Sequence, residues 1–263
     1  MVDIDLTQPL EVNFVSACGG TQDDVIATTQ SVAAAANANR DINYRHILVY
    51  NNGLDPDTLD LTVLDKPSNM EITVESLGEL SSRATARNRG IELATVGTRS
   101  IVNFLDAGDL CLPETPIHKI LDDEMDAGDS SDRRLFVTSA VVSGEGMLGV
   151  RHPVPHELRR FVNPFYIGAV FVPTDLAKRF HFVEGRKEDW KYWLTLIDEG
   201  GAVVKRLPGL SYIYTVKSSA NHIRRKSALF REQYKFFNEY IGLGSRVRSC
   251  AHMAVHSLSL IHI

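Results

Sequence analysis

The stretch Ile101-Val-Asn-Phe-Leu-Asp-Ala-Gly-Asp-Leu110 decides how the chain is read. Its first half is a largely apolar, strand-favouring run, which then breaks into two carboxylates, Asp106 and Asp109, beside Gly108. Open α/β sheets bind their ligands just outside the carboxyl ends of their strands. A buried strand that opens there into acidic groups suits a divalent cation and the phosphates it carries. The string Asp-Ala-Gly-Asp recurs at 126–129, after a helix-like segment and before Ser-Ser-Asp, where it reads as a solvated loop. Context, and not the string itself, makes the first copy the candidate site.

Outward from that strand the pattern is β and α in alternation. Residues 12–17, 45–50 and 71–75 read as strands, and Asn51-Asn52-Gly53 ends the second abruptly. Asn-Gly favours a turn because both residues tolerate positive φ. The alanine-rich run to about Asn37 reads as a helix with Asp23 and Asp24 at its positive end. A second helix is expected over 79–95, where Leu80, Ala84, Ile91 and Ala94 fall near helical spacing, and a third from Pro113 to Gly128. Residues 135–142 and 147–150 flank Gly144-Glu-Gly146 like a hairpin. Further on, a strand at 165–172, a short helix after Pro173, a helix over 189–199, and strands at 202–206 and 210–215 around Pro208-Gly209 are expected. The order βαβ…βαβ predicts one α/β domain with a mostly parallel sheet and a more irregular second half.

The bulk composition excludes several classes. At 263 residues the chain can bury a sizeable core, and 44% hydrophobic with 23% charged residues is ordinary for a soluble globular protein. A net charge of −5 argues against a general nucleic-acid binder. Three widely spaced cysteines without a CxxC argue against a disulfide framework or a structural zinc, and fit a reducing cytosol. No apolar run approaches the ~18 residues of a membrane span, and the N-terminal residues carry no secretory signal pattern. A soluble, cytoplasmic protein is the expectation.

Further candidates each have a plain reading beside a sharper one. Arg83 and Arg87 lie four apart on the second helix, a spacing that weakens a helix unless something anionic lies opposite. They form either a solvated basic face or a pair aimed at phosphate or an internal carboxylate. Glu188-Asp189 either complements a helix dipole or, walled by Trp190 and Trp193, supplies a carboxylate with a pKa suited to base catalysis. Lys217, His222, Arg224 and Arg225 read as a basic surface tail or as a closure over a diphosphate. His252 and His256 lack the acid partner of a zinc motif, and Phe230, Tyr234, Phe237 and Ile241 form a stripe that reads as a docking face.

Two segments together carry a family resemblance. Ala86-Arg-Asn-Arg-Gly-Ile-Glu-Leu-Ala94 followed by Ile101–Leu110, and then Glu188-Asp-Trp-Lys-Tyr-Trp-Leu194, resemble the family 2 glycosyltransferases of the GT-A fold. The first resembles that family's "ARNxGI..A" helix leading into an acidic "FLDxDD" strand end, and the second its "ED" helix. The resemblance implies a single Rossmann-like GT-A domain over 1–222, with a donor half at about 12–112 and an acceptor half at about 113–222. A C-terminal helical extension, 223–263, would pack on it.

The resemblance further implies a nucleotide-sugar donor, UDP- or another nucleoside-diphosphate sugar, and a carbohydrate or glycolipid acceptor. Peripheral membrane contact stays open. Ala17, Asn51, Asn52, Arg83, Arg87, Asp106 and Ala107 would line the donor site. Asp106, Asp109 and His222 would hold Mn²⁺ or Mg²⁺, and Asp189, with Glu188 as the fallback, would act as general base with inversion of configuration. Two departures stand out: Asn51-Asn52 replaces an acidic pair, and Gly108 replaces the middle carboxylate. They give a motive for a non-catalytic nucleotide- or glycan-binding module as the alternative. A sugar nucleotidyltransferase is disfavoured, because Cys18-Gly-Gly-Thr21 lacks the following glycine and the basic residue that grip a triphosphate.

Overall fold

A computed structural model describes residues 10–53, 56–78, 80–97, 99–120, 134–144, 147–160 and 162–215. Strands β1 (Leu10–Cys18), β2 (Ile42–Tyr50), β3 (Met70–Ser76) and β4 (Ser100–Phe104) lie side by side in the order β3-β2-β1-β4, all parallel. From Val12 to Cys18 every residue of β1 is buried, as a parallel strand covered on both faces requires. Helix α1 (Gln22–Ala38) starts at a capping box: Thr21 Oγ1 accepts from the Asp24 N–H at 3.2 Å, and the Asp24 carboxylate accepts from the Thr21 N–H at 2.9 Å.

Helix α2 (Arg83–Leu93) begins later than position 79, because Ser82 is the residue whose hydroxyl accepts the Thr85 N–H, at 3.0 Å. Gly90 lets this helix seat on the sheet: a Cβ there would lie 2.2 Å from Val15 Cγ1.

The second half adds β5 (Leu110–Cys111), β6 (Arg134–Gly144), β7 (Met147–Arg151), β8 (Val170–Pro173) and β9 (Val203–Thr215). The sheet runs β3-β2-β1-β4-β8-β6-β9-β5, with β7 paired to β6 as the expected hairpin. Here β8 is antiparallel to both β4 and β6, β9 parallel to β6, and β5 antiparallel to β9. The architecture is mixed α/β, with the parallel strands concentrated in the first half.

Two expected strands come out differently. Residues 167–169 form a 3₁₀ turn and only 170–173 are strand. The buried Asn103 amide donates to the carbonyls of both Gly168 and Val170 at 2.9 Å, and a Cβ at Gly168 would meet the Tyr212 ring at 2.3 Å. Those contacts fix the turn. The segments 202–206 and 210–215 are one strand, because Pro208-Gly209 (Gly209 φ +109°) lies against a register shift in β6 between Val137 and Ala140. A bulge absorbs the missing donor of proline without breaking the strand.

Helices α3 (Thr174–Arg179) and α4 (Glu188–Leu194) follow, and α4 continues as a π-turn over Thr195–Glu199. The expected third helix is helical at 117–120, and its continuation falls outside the described residues. So do the second Asp-Ala-Gly-Asp, the basic group Lys217–Arg225, His252 and His256, and the extension 223–263. No described helix is long and apolar enough to cross a membrane.

Phe104 anchors the packing beneath the strand ends. Its ring meets Phe182 edge-on at 4.9 Å and Tyr192 edge-on at 5.9 Å, and Phe182 stacks on Tyr192 at 3.9 Å. This aromatic block joins β4 to α4, so the end of the acidic strand and the Glu188-Asp189 pair rest on the same support. On the other side of β1, buried His46 pairs with Ser16 at 2.8 Å, and burial lowers its pKa to about 3, so it stays neutral.

Candidate functional site

The strand order reverses at β1, which leads to β2 on one side and to β4 on the other. In doubly wound sheets the crevice at such a reversal is where ligands bind. Ala17, at the end of β1, Asn51 and Asn52, after β2, and Asp106 and Ala107, after β4, all stand at this edge. Asn51 pairs with the Ser81 backbone twice: its main-chain oxygen accepts the Ser81 N–H and its amide donates to the Ser81 carbonyl, both at 3.0 Å. The Asn51 Oδ1 is buried without a hydrogen-bond partner. Asn52 donates to the Gly20 carbonyl at 3.2 Å. The asparagines thus hold the loops that wall the crevice, and Asn51 keeps one acceptor in reserve.

Arg87 turns inward. Its guanidinium is 1% exposed and donates from Nη2 to both Asp106 oxygens, at 2.7 and 2.9 Å, and from Nη1 to Glu188 Oε1 at 3.2 Å. It also lies over the Phe182 ring at 5.3 Å. Burial pulls the Arg87 pKa down, but Asp106 and Glu188 outweigh it and hold the group above its ordinary value. Arg83 is far more open, with a 60% exposed side chain, and reaches Asp106 Oδ2 and Glu188 Oε1 at 3.4 Å each. Of the two arginines, one is an internal strut and the other presents its charge outward.

The neighbour of Arg87 has a different task. Asn88 accepts the Phe182 N–H at 2.7 Å and donates to the Phe182 carbonyl at 2.9 Å, so its side chain mimics a strand edge. Thr85 and Ser82 donate to Glu184 at 2.7 and 3.1 Å. The loop before α4 is therefore pinned to the start of α2, and it delivers Glu188 and Asp189 through Lys187, whose φ of 58° is the one positive value at a non-glycine among the described residues. Left-handed backbone at such a residue persists only where its surroundings hold it.

Glu188 and Asp189 are adjacent but differ sharply. The Glu188 carboxylate is 8% exposed and faces both arginines. Asp189 faces Asn163, whose amide donates to Asp189 Oδ2 at 2.7 Å. Burial first, and the Glu188 charge second, raise the Asp189 pKa, with Arg87, the Trp190 N–H and Asn163 opposing. A carboxylate with a raised pKa is a better proton acceptor, which is what a general base needs. Asn163 was not singled out from sequence, since it stands in a loop with no periodicity and meets Asp189 only through the fold.

Asp109 is 5% exposed and bonds to β9: Tyr212 Oη donates to one carboxylate oxygen at 2.5 Å, and the Thr215 N–H to the other at 2.9 Å. Its own position follows from Gly108, whose φ of +97° closes the turn that brings the Asp109 N–H back to the Asp106 carbonyl at 2.9 Å. Gly108 is thus demanded by backbone geometry where the related motif has a carboxylate. As a divalent-cation site the described donors do not fit. Guanidinium groups hold Asp106, β9 donors hold Asp109, and no group of three His, Cys, Asp or Glu side chains converges among the described residues. His222 lies outside the described residues. Cys18 is inert beside the crevice: burial, with Asp106 adding to it, pushes its thiol up to about 12.

No family model matches the chain, and no curated protein sequence matches it. Among solved structures, the chain is similar to the crystal structure of S. aureus TarS 1-349, with a TM-score of 0.55 and 16% sequence identity over 78% of this chain and 60% of that one. The chain spans about 60% of the length of that structure. The likeness shows a shared fold, with a mixed α/β sheet compatible with a Rossmann-like arrangement.

Proposed function

We propose that the chain transfers a sugar from a nucleoside-diphosphate donor to an acceptor hydroxyl, with inversion. The observation that carries this reading is Arg87: one buried side chain ties Asp106, at the reversal of the sheet, to Glu188, beside Asp189. Two distant stretches of sequence thereby form a single site with a donor end and an acceptor end.

In this reading the nucleotide lies across the ends of β1, β2 and β4, walled by the loops that Asn51 and Asn52 hold. Arg83 faces the diphosphate and Arg87 backs it, so arginine charge, with no step assigned to a metal, meets the departing phosphate. The acceptor hydroxyl binds at Asp189. Its proton passes to the carboxylate, its oxygen forms the bond to the anomeric carbon from the far side, and the bond to the phosphate oxygen breaks with the electron pair leaving on the nucleoside diphosphate. Asn163 holds one Asp189 oxygen and leaves the other for the proton. Glu188 is ion-paired to both arginines, which leaves Asp189 to receive the proton.

The saturation of Asp106 and Glu188 by arginine also suits a module that binds nucleotide without turnover. One experiment separates the two. Parent and Asp189→Asn proteins are assayed for nucleoside-diphosphate release across a panel of nucleotide sugars and acceptors. The catalytic reading expects a loss of about 10²- to 10⁴-fold in rate with nucleotide affinity unchanged. Equal release by both proteins overturns the assignment of the base, and binding without release by the parent favours the module.

A further inference from the structure

Strand β9 carries two tyrosines on one face, in different surroundings. Tyr212 is buried with its hydroxyl on Asp109, and Tyr214, nearer the strand end, is 39% exposed. The Tyr214 ring lies 6.4 Å from that of Tyr212 and 5.8 Å from that of Tyr166, the latter tilted by 45°. Tyr166 is half-buried, with one side against the main core. The hydroxyls of Tyr166 and Tyr214 make no hydrogen bond to a described residue. Two aromatic faces and two unpaired phenol oxygens therefore meet at one open place.

Each tyrosine is tied to one end of the candidate site. Tyr166 opens the 3₁₀ turn that Asn103 holds, and it follows Asn163, the partner of Asp189, by no more than about 11 Å of chain. Tyr214 precedes Thr215, whose N–H holds Asp109. Burial first, then Asp109 and Tyr166, raise the Tyr214 pKa; Arg83 opposes them and Asp106 adds to the rise. The phenol thus stands among the charged groups of the crevice. The ring pair spans from the neighbourhood of Asp189 to the carboxylates at the strand ends.

The chemistry of the pair selects its occupant. Each ring offers an apolar face with a hydroxyl at its edge, which suits a ligand that is also apolar on one side and polar at its rim. A pyranose has that character, with C–H groups on a ring face and hydroxyls around it. An alkyl chain would cover the phenol oxygens without pairing them, which costs free energy. A planar base stacks parallel and offset on a ring, whereas two rings tilted by 45° open a wedge that a puckered ring fills.

We infer that Tyr166 and Tyr214 form the floor on which a pyranose ring of the acceptor rests, and that they select a cyclic sugar over an alkyl chain or an acyclic polyol. The inference rests on the transfer reaction assigned above, for which it names the acceptor class.

Saturation-transfer difference NMR on the full chain, with and without UDP, tests it. The probes are the methyl glycosides of glucose, galactose, mannose and N-acetylglucosamine, with sorbitol as the acyclic control. Saturation at the ring C–H protons of at least one glycoside, and none on sorbitol, is expected. Tyr214→Ala and Tyr166→Leu weaken that glycoside about 2- to 10-fold, whereas Tyr214→Phe retains most of the binding. The rise in unfolding temperature with UDP stays as in the parent. Leucine keeps apolar volume against the core at 166, and unchanged near-ultraviolet circular dichroism verifies the fold. No saturation of any glycoside, or a signal that both variants leave unchanged, overturns the inference. Loss of UDP binding in Tyr214→Ala with glycoside saturation intact also overturns it and assigns the rings to the donor's base. A glycoside signal that depends on the tyrosines, in a protein that releases no nucleoside diphosphate, supports the floor while the transfer reading fails.

Discussion

In the half of the sheet formed by β3, β2, β1 and β4 every pair is parallel, whereas the half formed by β8, β6, β9 and β5 mixes directions. The first half places its functional groups by local means: strand ends, an Asn-Gly turn, and a crossover helix seated through Gly90. The second half places them by contacts between residues far apart in the chain, such as Asn163 to Asp189 and Tyr212 to Asp109. Arg87 is the side chain in which the two meet. A crevice can thus be shaped by one half and armed by the other, and the join is electrostatic as well as apolar.

That contrast can be broken at its join. Arg87→Met leaves Asp106 and Glu188 without their buried cation, and breaking a buried pair in this way costs about 3–5 kcal/mol. Urea denaturation of parent and variant measures it. A loss below 1 kcal/mol would mean that the halves hold together through the β4–β8 pairing, the Asn88–Phe182 bonds and the Phe104 aromatic block without need of Arg87.

Within the mixed half, Tyr212→Phe removes the hydroxyl that donates to Asp109 and leaves one carboxylate oxygen without that donor. A loss of about 1–3 kcal/mol is expected, and the same denaturation experiment reads it.

The parallel half offers the most specific effect. His46 is neutral in the fold, with its pKa lowered to about 3, while in the unfolded chain it takes a proton near pH 6.5. The unfolded state therefore binds the extra proton, and stability falls as the pH drops from about 6.5 towards 3, by up to about 1.4 kcal/mol per pH unit from this group. His46→Gln keeps a partner for Ser16 without the titration. Stability curves at pH 7.5 and 5 should diverge for the parent more than for this variant.

The sequence is a good guide to the first half for the same physical reasons. Parallel strands buried on both faces are continuous apolar runs, and Asn51-Asn52-Gly53 and Gly108 mark turns whose backbone needs those residues. The Arg87–Asp106–Glu188 contact was legible as a demand, an unexplained arginine pair looking for an anion, although its partner could not be chosen from spacing. Asp109 was legible as an acidic residue but not as one bonded to β9, since Tyr212 lies more than a hundred residues away. The 3₁₀ turn at 167–169 and the single strand across Pro208-Gly209 depend on Asn103, Tyr212 and the β6 bulge, which no local pattern contains. The two halves of the sheet differ in legibility because one is encoded by neighbours and the other by partners.

The central claim is that the crevice at the ends of β1, β2 and β4 receives a nucleoside diphosphate. A thermal-unfolding screen of the full chain with UDP and the other nucleoside diphosphates, with and without Mn²⁺, tests it most directly. At about 100 times its Kd, the right nucleotide adds about 2.7 kcal/mol of apparent stability, and Arg83→Ala reduces that gain. If no nucleoside diphosphate raises the unfolding temperature in either series, the crevice is not a donor site and the account fails.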